Sequence, residues 1–536
     1  MRAYTSAESS ALDVAAQESG VAGFELMRRA GVVAFEQIAR HYPTADSLLV
    51  LAGKGNNGGD AWIVAGAAVA AGWTVQLCQF GLPAMELSGA AALARDWAGA
   101  RGVVAPSPEL VNELPQLSGA QLASAQWVVV DGLLGTGLQS APRPEIQQAI
   151  AWLNAADLSV VALDLPSGLS ADNGAVPGGW PDAVVRADLT VTFIGMKLGL
   201  LTGRGPDCTG ELVYESLALD VTRLSEQSAS AHSGVRVLDQ HYQSLPARDR
   251  TAFKNQFGHV LVLAGADGGG GAALLAAESA LRCGAGLVSV GTHAINVTAM
   301  LARRPELMVR AVADQTAASE LAKRADTIVV GPGLGQAAWG QGLLAAALAA
   351  AATGVRLIID ADALNLLATG RGDSASDSGS DAGAGTGFGA LPADTVLTPH
   401  PGEAARLLGT STQHVELDRV EAVTQLARRY CCVVVLKGAG TLIADPSGLT
   451  AVCALGNPGM ATAGMGDTLA GIVAGVVAQH GVSAQWVGRA VQFHAAAGDR
   501  AAARLGEASM LATDVIAELP AVLRGSAQVG TGSKDA

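Results

Sequence analysis

A glycine-rich stretch near the carboxyl end places a carboxylate beside a potential phosphate site. Residues 456–467 read GNPGMATAGMGD, and Asp467 directly precedes an apolar, helix-forming run from Thr468 to Val477. Free backbone N–H groups at a helix N-terminus attract phosphate. A carboxylate next to them could take the proton of a hydroxyl that attacks the phosphate. These residues alone equally allow a helix whose early aspartate only stabilises the helix dipole.

Three aspartates in the first half of the chain follow strand-like segments. Asp60 closes the sequence GKGNNGGD at 53–60, and Asp131 and Asp164 each follow a run of apolar residues. Because the carboxyl ends of parallel strands share one edge of a sheet, where ligands bind, we expect these side chains to converge on one crevice. Lys197, in the sequence GMKLG after a further strand, could point into the same crevice.

The glycines at 53, 55 and 58 also form the pattern GxGxxG of dinucleotide-binding loops. That interpretation requires an acidic residue at the end of the next strand, and the segment 74–80 ends without one. A GxxxxGK[ST] phosphate loop is excluded because Lys54 precedes most of the glycines. The segment instead offers amide and carboxylate oxygens, which suit a cation or a polar ligand.

The second half repeats the pattern of a short apolar strand followed by a polar loop. His400 lies between two prolines, which restrict its backbone and fix the direction of its ring. Lys437 precedes small residues and suits a nucleotide phosphate or ribose, although a surface turn would have the same composition. The loops, each after its strand, are GPGLG after 327–330, DADAL after 357–359, TPHPGE after 396–397 and KGAGT after 433–436.

Length and composition predict an α/β protein of two or three domains. The chain has 536 residues, half of them apolar, with 67 glycines and few aromatic residues. Residues 223–250 lose helical and strand periodicity, which predicts a linker. Residues 370–390 and 525–536 are rich in small polar residues that bury little apolar surface, so we expect a disordered insertion and a disordered tail.

The composition also excludes several classes of protein. A net charge of −14 without a long basic run argues against nucleic-acid binding. The N-terminus lacks the pattern of a signal peptide, and the apolar runs are too short to span a membrane. The six cysteines contain no CxxC motif, so we expect reduced thiols in a cytoplasmic protein.

The first half resembles the NAD(P)H-hydrate epimerase domain of the YjeF N-terminal family over residues 1–222. The motifs GKGNNGGDA, DGLLGTGL, LDLPSGL and FIGMKLGLLTG occur in the order of that family. The resemblance implies a Rossmann-like α/β/α sandwich, proton transfer by Asp164 and Lys197, and a potassium ion held by Asn57, Asp131 and Ser167. The hydrate-binding residues that it implies are Asn56, Asn57, Gly58, Gly59, Asp60, Gly135, Thr136, Gly137, Leu138, Gln139, Ser140, Ala141 and Asp164.

The second half resembles the ADP-dependent NAD(P)H-hydrate dehydratase domain, a ribokinase-like fold, over residues 235–522. GPGLG, DADALN, TPHPGE, KGAGT and GNPGMATAGMGD all occur in the order of that family. The resemblance implies Asp467 as the base, ADP as phosphoryl donor and a magnesium ion. Implied contacts to ADP or AMP are Lys437, Gly438, Ala439, Gly440, Thr441 and Gly466, and those to the hydrate are Ala272, Gly333, His400 and Asp467.

Together the two resemblances predict a bifunctional repair enzyme for NADHX and NADPHX, the hydrated forms of NADH and NADPH. One half would interconvert the R and S hydrates, and the other would dehydrate the S form at the expense of ADP. We also expect a homo-oligomer, a tetramer or higher. Two alternatives stay open from the residues alone: a ribokinase-type small-molecule kinase with an N-terminal ligand-binding module, and a non-catalytic nucleotide-sensing scaffold.

Overall fold

A computed structural model describes residues 1–81, 83–104, 127–178, 182–228, 234–369 and 391–524. The chain forms two compact units, Met1–Arg236 and Val237–Ala536, and each contains a mainly parallel sheet with helices. The predicted α/β architecture with two domains is therefore confirmed. The segments 370–390 and 525–536, for which we expected disorder, lie outside the described residues.

The first unit is built around a parallel six-stranded sheet, in the order β3-β2-β4-β5-β6-β8. Every residue of the central strand β2 is buried, as expected for a continuous apolar strand with both faces covered. The strands are β1 (Arg2–Tyr4), β2 (Ser47–Ala52), β3 (Thr74–Gln79), β4 (Trp127–Gly132), β5 (Ser159–Leu163), β6 (Leu189–Phe193), β7 (Met196–Lys197) and β8 (Glu211–Glu215). The α-helices are Ser6–Glu18, Gly23–His41, Asn56–Ala70, Gly89–Gly99, Pro144–Ala155, Gly205–Cys208 and Val221–Gln227.

The motif at 53–60 is mostly helical, which corrects its interpretation as a glycine loop. The helix begins at Asn56, so only the residues before it form the turn after β2. A Cβ atom at Gly58 would lie 1.8 Å from the carbonyl oxygen of Gly53, and one at Gly53 would lie 1.9 Å from that of Leu133. These glycines therefore permit close packing of the helix on the sheet edge.

The second unit contains a nine-stranded sheet in the order β12-β11-β10-β13-β14-β15-β16-β17-β18. Pairing is parallel from β12 to β16, and β17 and β18 add an antiparallel hairpin. These strands are β10 (His259–Leu263), β11 (Leu287–Thr292), β12 (Met308–Ala311), β13 (Thr327–Val330), β14 (Arg356–Ile359), β15 (Thr395–Leu397), β16 (Val433–Leu436), β17 (Thr441–Asp445) and β18 (Gly448–Cys453). The α-helices are Gly270–Arg282, Val297–Arg303, Gln315–Ala322, Ala338–Ala351, Asp362–Thr369, Pro401–Leu408, Thr412–Leu417, Arg419–Tyr430, Met465–His480, Ala484–Leu505 and Ala512–Leu523.

The predicted linker, 223–250, is not entirely irregular. It begins inside the helix Val221–Gln227 and contains a ninth strand, β9 (Val235–Leu238). Val235 pairs with Ala3 in antiparallel fashion. A partner more than two hundred residues away stabilises this four-residue strand, and such a pairing cannot be recognised from local periodicity.

The helix Met465–His480 positions the glycine-rich motif of the second unit. It begins after Gly464, whose φ of +89° is a left-handed conformation that favours glycine. A Cβ atom at Gly471 would lie 2.1 Å from the carbonyl oxygen of Ala276, so the helix packs closely on Gly270–Arg282. Among the described residues, no helix combines the length and apolar character needed to cross a bilayer.

Candidate active sites

Two strained turns place Asp164 and Lys197 at the carboxyl edge of the first sheet. Asp164 and Ile194 have φ angles of +65° and +61°, which are unusual for residues other than glycine. Each is the central residue of a three-residue turn. The N–H of Leu165 donates to the Leu163 carbonyl oxygen at 2.8 Å, and the N–H of Gly195 donates to the Phe193 carbonyl oxygen at 2.7 Å. Turns of this kind are rare and occur where the surrounding structure enforces them, often at functional sites.

Asp164 and Lys197 form a largely buried ion pair. The Lys197 side chain is only 3% exposed, and its ammonium donates to Asp164. It also donates to the Phe193 carbonyl oxygen at 2.9 Å and to the Thr192 hydroxyl at 3.3 Å. These bonds hold an ammonium and a carboxylate side by side, as a proton-transfer pair requires.

Two further carboxyl groups lie in the field of this pair. Burial raises the pKa of Asp60 well above its usual range; Asp164 and Asp13 add to the effect and Lys197 opposes it. Burial also raises the pKa of Asp13 to about 6, with Lys197 opposing and Asp164 adding to the shift. The sequence interpretation included Asp60 and missed Asp13, which belongs to none of the motifs.

Asn57, Asp131 and Ser167 form a separate buried cluster. The Ser167 hydroxyl donates to Asp131 at 2.6 Å, and the Asn57 amide nitrogen donates to the Leu134 carbonyl oxygen at 2.7 Å. The Asn57 side-chain oxygen is buried and has no hydrogen-bond partner. Burial raises the pKa of Asp131 to about 6, although hydrogen bonds from Ser167 and Leu133 oppose this. An unsatisfied oxygen beside a buried carboxylate fits a bound monovalent cation.

The loop 135–141 is joined to this cluster at its beginning only. A Cβ atom at Gly135 would lie 3.2 Å from that of Asn57, and the Thr136 carbonyl oxygen accepts a hydrogen bond from Ser6 at 2.7 Å. Gly137 and residues 139–141 are exposed, as is Asn56.

The second unit centres on Lys437, which follows β16. Its ammonium lies 2.8 Å from the Asp360 carboxylate and 3.7 Å from that of Glu403. Asp360 is buried and also accepts from the Thr398 hydroxyl at 2.8 Å. Burial opposes protonation of Lys437, but Asp360, Glu403 and Asp467 outweigh it and raise its pKa. The lysine therefore stays charged among carboxylates.

Asp467 lies in the first turn of Met465–His480 and faces the same group. Burial raises its pKa to about 6; Asp360 and Asp362 add to the shift and Lys437 opposes it. A Cβ atom at Gly466 would lie 3.3 Å from the Lys437 ammonium. The absence of a side chain there leaves backbone N–H groups and an ammonium free to meet an anion.

His400 caps the helix Pro401–Leu408 with its own ring. Its Nδ1 accepts from the N–H groups of residues 402 and 403 at 3.0 and 3.3 Å, and its Nε2 lies 3.3 Å from the Glu403 carboxylate. Burial and the charge of Lys437 lower the pKa of His400. We therefore expect a neutral imidazole that can present one N–H group.

Ala272, in the first turn of the helix Gly270–Arg282, lies against Gly333 in the loop after β13. A Cβ atom at Gly333, where φ is +54°, would lie 3.2 Å from the Ala272 Cβ. The N–H of Gly335 donates to Asp362 at 2.9 Å, and Asp362 acts electrostatically on Asp467. This loop therefore borders the carboxylate group around Lys437.

Sequence motifs missed two side chains that support these loops. Arg419 is buried and donates to the Lys437 carbonyl oxygen at 3.1 Å; a Cβ atom at Gly438 would lie 2.8 Å from its guanidinium. Asp499 accepts from the N–H of Gly456 at 3.1 Å and from the Asn457 amide at 2.9 Å. Both lie on other helices, 18 residues before Lys437 and more than 40 residues after Gly456, so no motif around the loops includes them.

Comparison with known proteins covers both units. Residues 260–521 match the family model described as NAD(P)H-hydrate dehydratase, and residues 23–199 match that described as YjeF-related protein N-terminus. A bifunctional NAD(P)H-hydrate repair enzyme of Coxiella burnetii is 41% identical over 95% of this chain and 96% of its own length. The enzyme of the same name from Escherichia coli is 39% identical over 95% of this chain and 91% of its length.

Among solved structures, a ribokinase-like superfamily protein of Enterococcus faecalis is 30% identical over 54% of this chain and 95% of its own, with a TM-score of 0.48. The two curated relatives extend through both units and all the motifs. The resemblance first seen in the motifs is thereby confirmed. The chain belongs to the family of bifunctional NAD(P)H-hydrate repair enzymes.

Proposed function

We propose that this chain repairs hydrated NAD(P)H by two reactions, epimerisation in the first unit and ADP-dependent dehydration in the second. One observation is the main support for the ADP-dependent dehydration. Asp467, with a pKa raised to about 6, lies beside the Lys437 ammonium at the N-terminus of a buried helix. A base, a cation and free backbone N–H groups are the components that phosphoryl transfer to a hydroxyl needs.

In the dehydratase reaction, Asp467 takes the proton of the S-hydrate hydroxyl. The hydroxyl oxygen then attacks the terminal phosphorus of ADP, and AMP leaves. Lys437 and the backbone N–H groups beside Gly466 stabilise the phosphate oxygens. The ring nitrogen lone pair then expels inorganic phosphate, and loss of the neighbouring C5 proton restores the ring double bond. The products are NAD(P)H, AMP and phosphate, so the reaction is balanced.

A magnesium ion fits the charges of this site. Asp360, Glu403 and Asp467 surround one lysine, and ADP adds further negative charge. Within the described ranges, no group of three or more His, Cys, Asp or Glu side chains could hold a metal alone. Magnesium commonly binds through phosphate oxygens, water and one or two carboxylates. Bound in this way, with Asp360 as a carboxylate ligand, it would neutralise charge on the phosphate oxygens.

In the epimerase reaction, Asp164 accepts the hydroxyl proton of the hydrate while the ring nitrogen gains a proton, and the bond between the ring nitrogen and the hydroxyl-bearing carbon opens to an aldehyde. Closure on the opposite face of the aldehyde gives the other epimer, and both protons return. Lys197 stabilises the Asp164 carboxylate before it accepts the proton. Burial raises the pKa of Asp60 and so favours its neutral form, which can donate a hydrogen bond to the substrate.

Asn57, Asp131 and Ser167 would hold potassium in the first unit. The unpaired Asn57 oxygen supports this assignment, and the ion would supply positive charge beside Asp131. All six cysteines are free thiols, five of them buried, which supports the proposal of a reducing, cytoplasmic location. Assembly into a homo-tetramer or larger oligomer stays a prediction.

The test is recovery of NADH absorbance from mixed R and S hydrates, with ADP or ATP as donor. We expect ADP to support recovery from both epimers. The Asp164→Ala variant should stop when the S form is consumed, because it cannot convert the R form. A stable phosphorylated product without NADH would instead show a small-molecule kinase. No turnover with either donor would favour a nucleotide-binding scaffold.

A further inference from the structure

The N-terminal helix Ser6–Glu18 is fixed to the edge of the sheet that carries the epimerase site. The backbone N–H of Ser6 donates to Asp172 at 2.6 Å, and its hydroxyl donates to the Thr136 carbonyl oxygen at 2.7 Å. Asp172 and Thr136 belong to the loops after β5 and β4. The helix thus contacts two loops of the site, although the family match begins only at residue 23.

The same segment packs beside Lys197. Strand β1 pairs in parallel with β7, and this register places Tyr4 opposite Lys197. A Cβ atom at Gly195 would lie 3.0 Å from the Leu12 side chain and 3.5 Å from the Ser9 hydroxyl. That hydroxyl is buried and has no hydrogen-bond partner. The inner face of the helix therefore borders the turn that presents the lysine.

Asp13 lies one helical turn after Ser9, on this inner face. Its half-buried carboxyl is in the electrostatic field of Lys197, which follows β6, and of Asp164, which follows β5. Asp13 in turn acts on Asp60, at the start of another helix. Three carboxyl groups from separate elements therefore lie in the electrostatic field of one ammonium, and Asp164 is also hydrogen-bonded to it.

The proposed ring opening needs a second proton transfer. When the carbon–nitrogen bond breaks, the ring nitrogen must gain a proton while the hydroxyl loses one, and closure reverses both transfers. Asp164 is paired with Lys197 and serves as the base. Burial raises the pKa of Asp60 well above its usual range, which favours the neutral acid over a group that exchanges its proton. A carboxyl with a pKa of about 6, such as Asp13, can both donate and recover a proton near neutral pH.

We propose that Asp13 is a catalytic residue of the epimerisation: it donates a proton to the ring nitrogen as the carbon–nitrogen bond opens and takes it back on closure. This assignment rests on the proposed epimerase function of the first unit. The N-terminal helix is then part of the active site as well as of the scaffold.

The experiment measures conversion of R to S hydrate by the full-length chain without ADP, with the epimers separated by chromatography. Asp13→Asn should lower kcat by about 100-fold or more and leave KM within about threefold. It should also remove the limb near pH 6 from the kcat profile. Glu18→Gln is the matched control, because it removes an exposed carboxyl from the same helix, and it should match the parent.

Asp13→Glu separates chemistry from folding. It keeps the acid but displaces it, so we expect at least about tenfold more activity than Asp13→Asn at an equal unfolding temperature. The assignment would be overturned if Asp13→Asn kept a kcat within about threefold of the parent, or if it only raised KM. It would also be overturned if Asp13→Asn and Asp13→Glu were equally inactive. A parent that fails to interconvert the epimers would instead refute the proposed epimerase function.

Discussion

Replacement of Asp467 by Asn tests the dehydratase mechanism most directly, because it removes the base and keeps the shape. Asn cannot accept the hydroxyl proton, and general base catalysis contributes about 10²- to 10⁴-fold. We therefore expect kcat for ADP-dependent dehydration of the S-hydrate to fall by that factor. The contacts of Gly466 and Lys437 should remain, so KM for ADP should change by less than about threefold.

The pKa of Asp467, raised to about 6, predicts the pH dependence of the parent. A base with that pKa is about nine-tenths ionised at pH 7 and about one-tenth ionised at pH 5. The parent should therefore lose about ninefold in kcat/KM between these values, since kcat/KM reports the free enzyme. The residual activity of Asp467→Asn should lack this acid limb.

The raised pKa of Asp467 also predicts how stability depends on pH. Stability should fall as pH rises, whereas activity should rise. The folded-state pKa lies about two units above the ordinary value of 3.8, so folding favours the protonated carboxyl. The ionised form costs up to about 3 kcal/mol above pH 6, and the cost disappears as pH falls below about 4. Asp467→Asn should therefore stabilise the second unit at pH 7.

Two measurements on the parent and on Asp467→Asn test the assignment of Asp467 as the base. Absorbance recovery from purified S-hydrate with ADP, from pH 5 to 8, gives the activity profile. Hydrogen exchange in Met465–His480 at pH 7 should be slower in the variant. Asp467 would be refuted as the base if Asp467→Asn dehydrated the S-hydrate within a few fold of the parent rate. An acid limb that stays unchanged in the pH profile of the variant would refute it as well.

Three further predictions concern the first unit. Lys197→Met should slow epimerisation by about 100-fold or more, because Asp164 loses its partner, while dehydration of S-hydrate stays within about twofold. Asn57→Ala should raise the potassium concentration for half-maximal epimerase activity by about tenfold, in a titration at constant ionic strength. Gly58→Ala brings a Cβ atom to 1.8 Å from the Gly53 oxygen and should lower the unfolding temperature of this unit; Gly55→Ala, which meets nothing within 4 Å, is the control.

Strands were the most predictable part of the fold. The strands predicted at 327–330 and 433–436 have the same limits in the structure. Parallel strands covered on both faces must be continuously apolar, so composition alone marks them. The helix start at Asn56 was not predictable, because glycine and asparagine favour turns and only close packing against Gly53 makes a helix possible there.

The motifs predicted the side chains that gather in the two candidate sites better than those that support them. Asp467, Lys437 and His400 follow glycine- or proline-marked strand ends, and the structure brings all three into one electrostatic group. Asp13 and Arg419 lie on amphipathic helices where a charged residue ordinarily faces solvent. Their roles depend on tertiary contacts that no local pattern encodes.

Both sites use one ammonium among several carboxyl groups, but the charges imply different chemistry. In the first unit, the Lys197 ammonium donates to the Asp164 carboxylate, while burial raises the pKa values of Asp13 and Asp60, so a base and candidate acids lie around one ammonium. Around Lys437, burial and neighbouring carboxylates raise the pKa of Asp467 in the same way. A diphosphate bound there would add charge that one lysine cannot neutralise, so we expect a divalent cation to enter with it. Removing magnesium should therefore stop dehydration and leave epimerisation unchanged, a difference that the two assays on one preparation can measure.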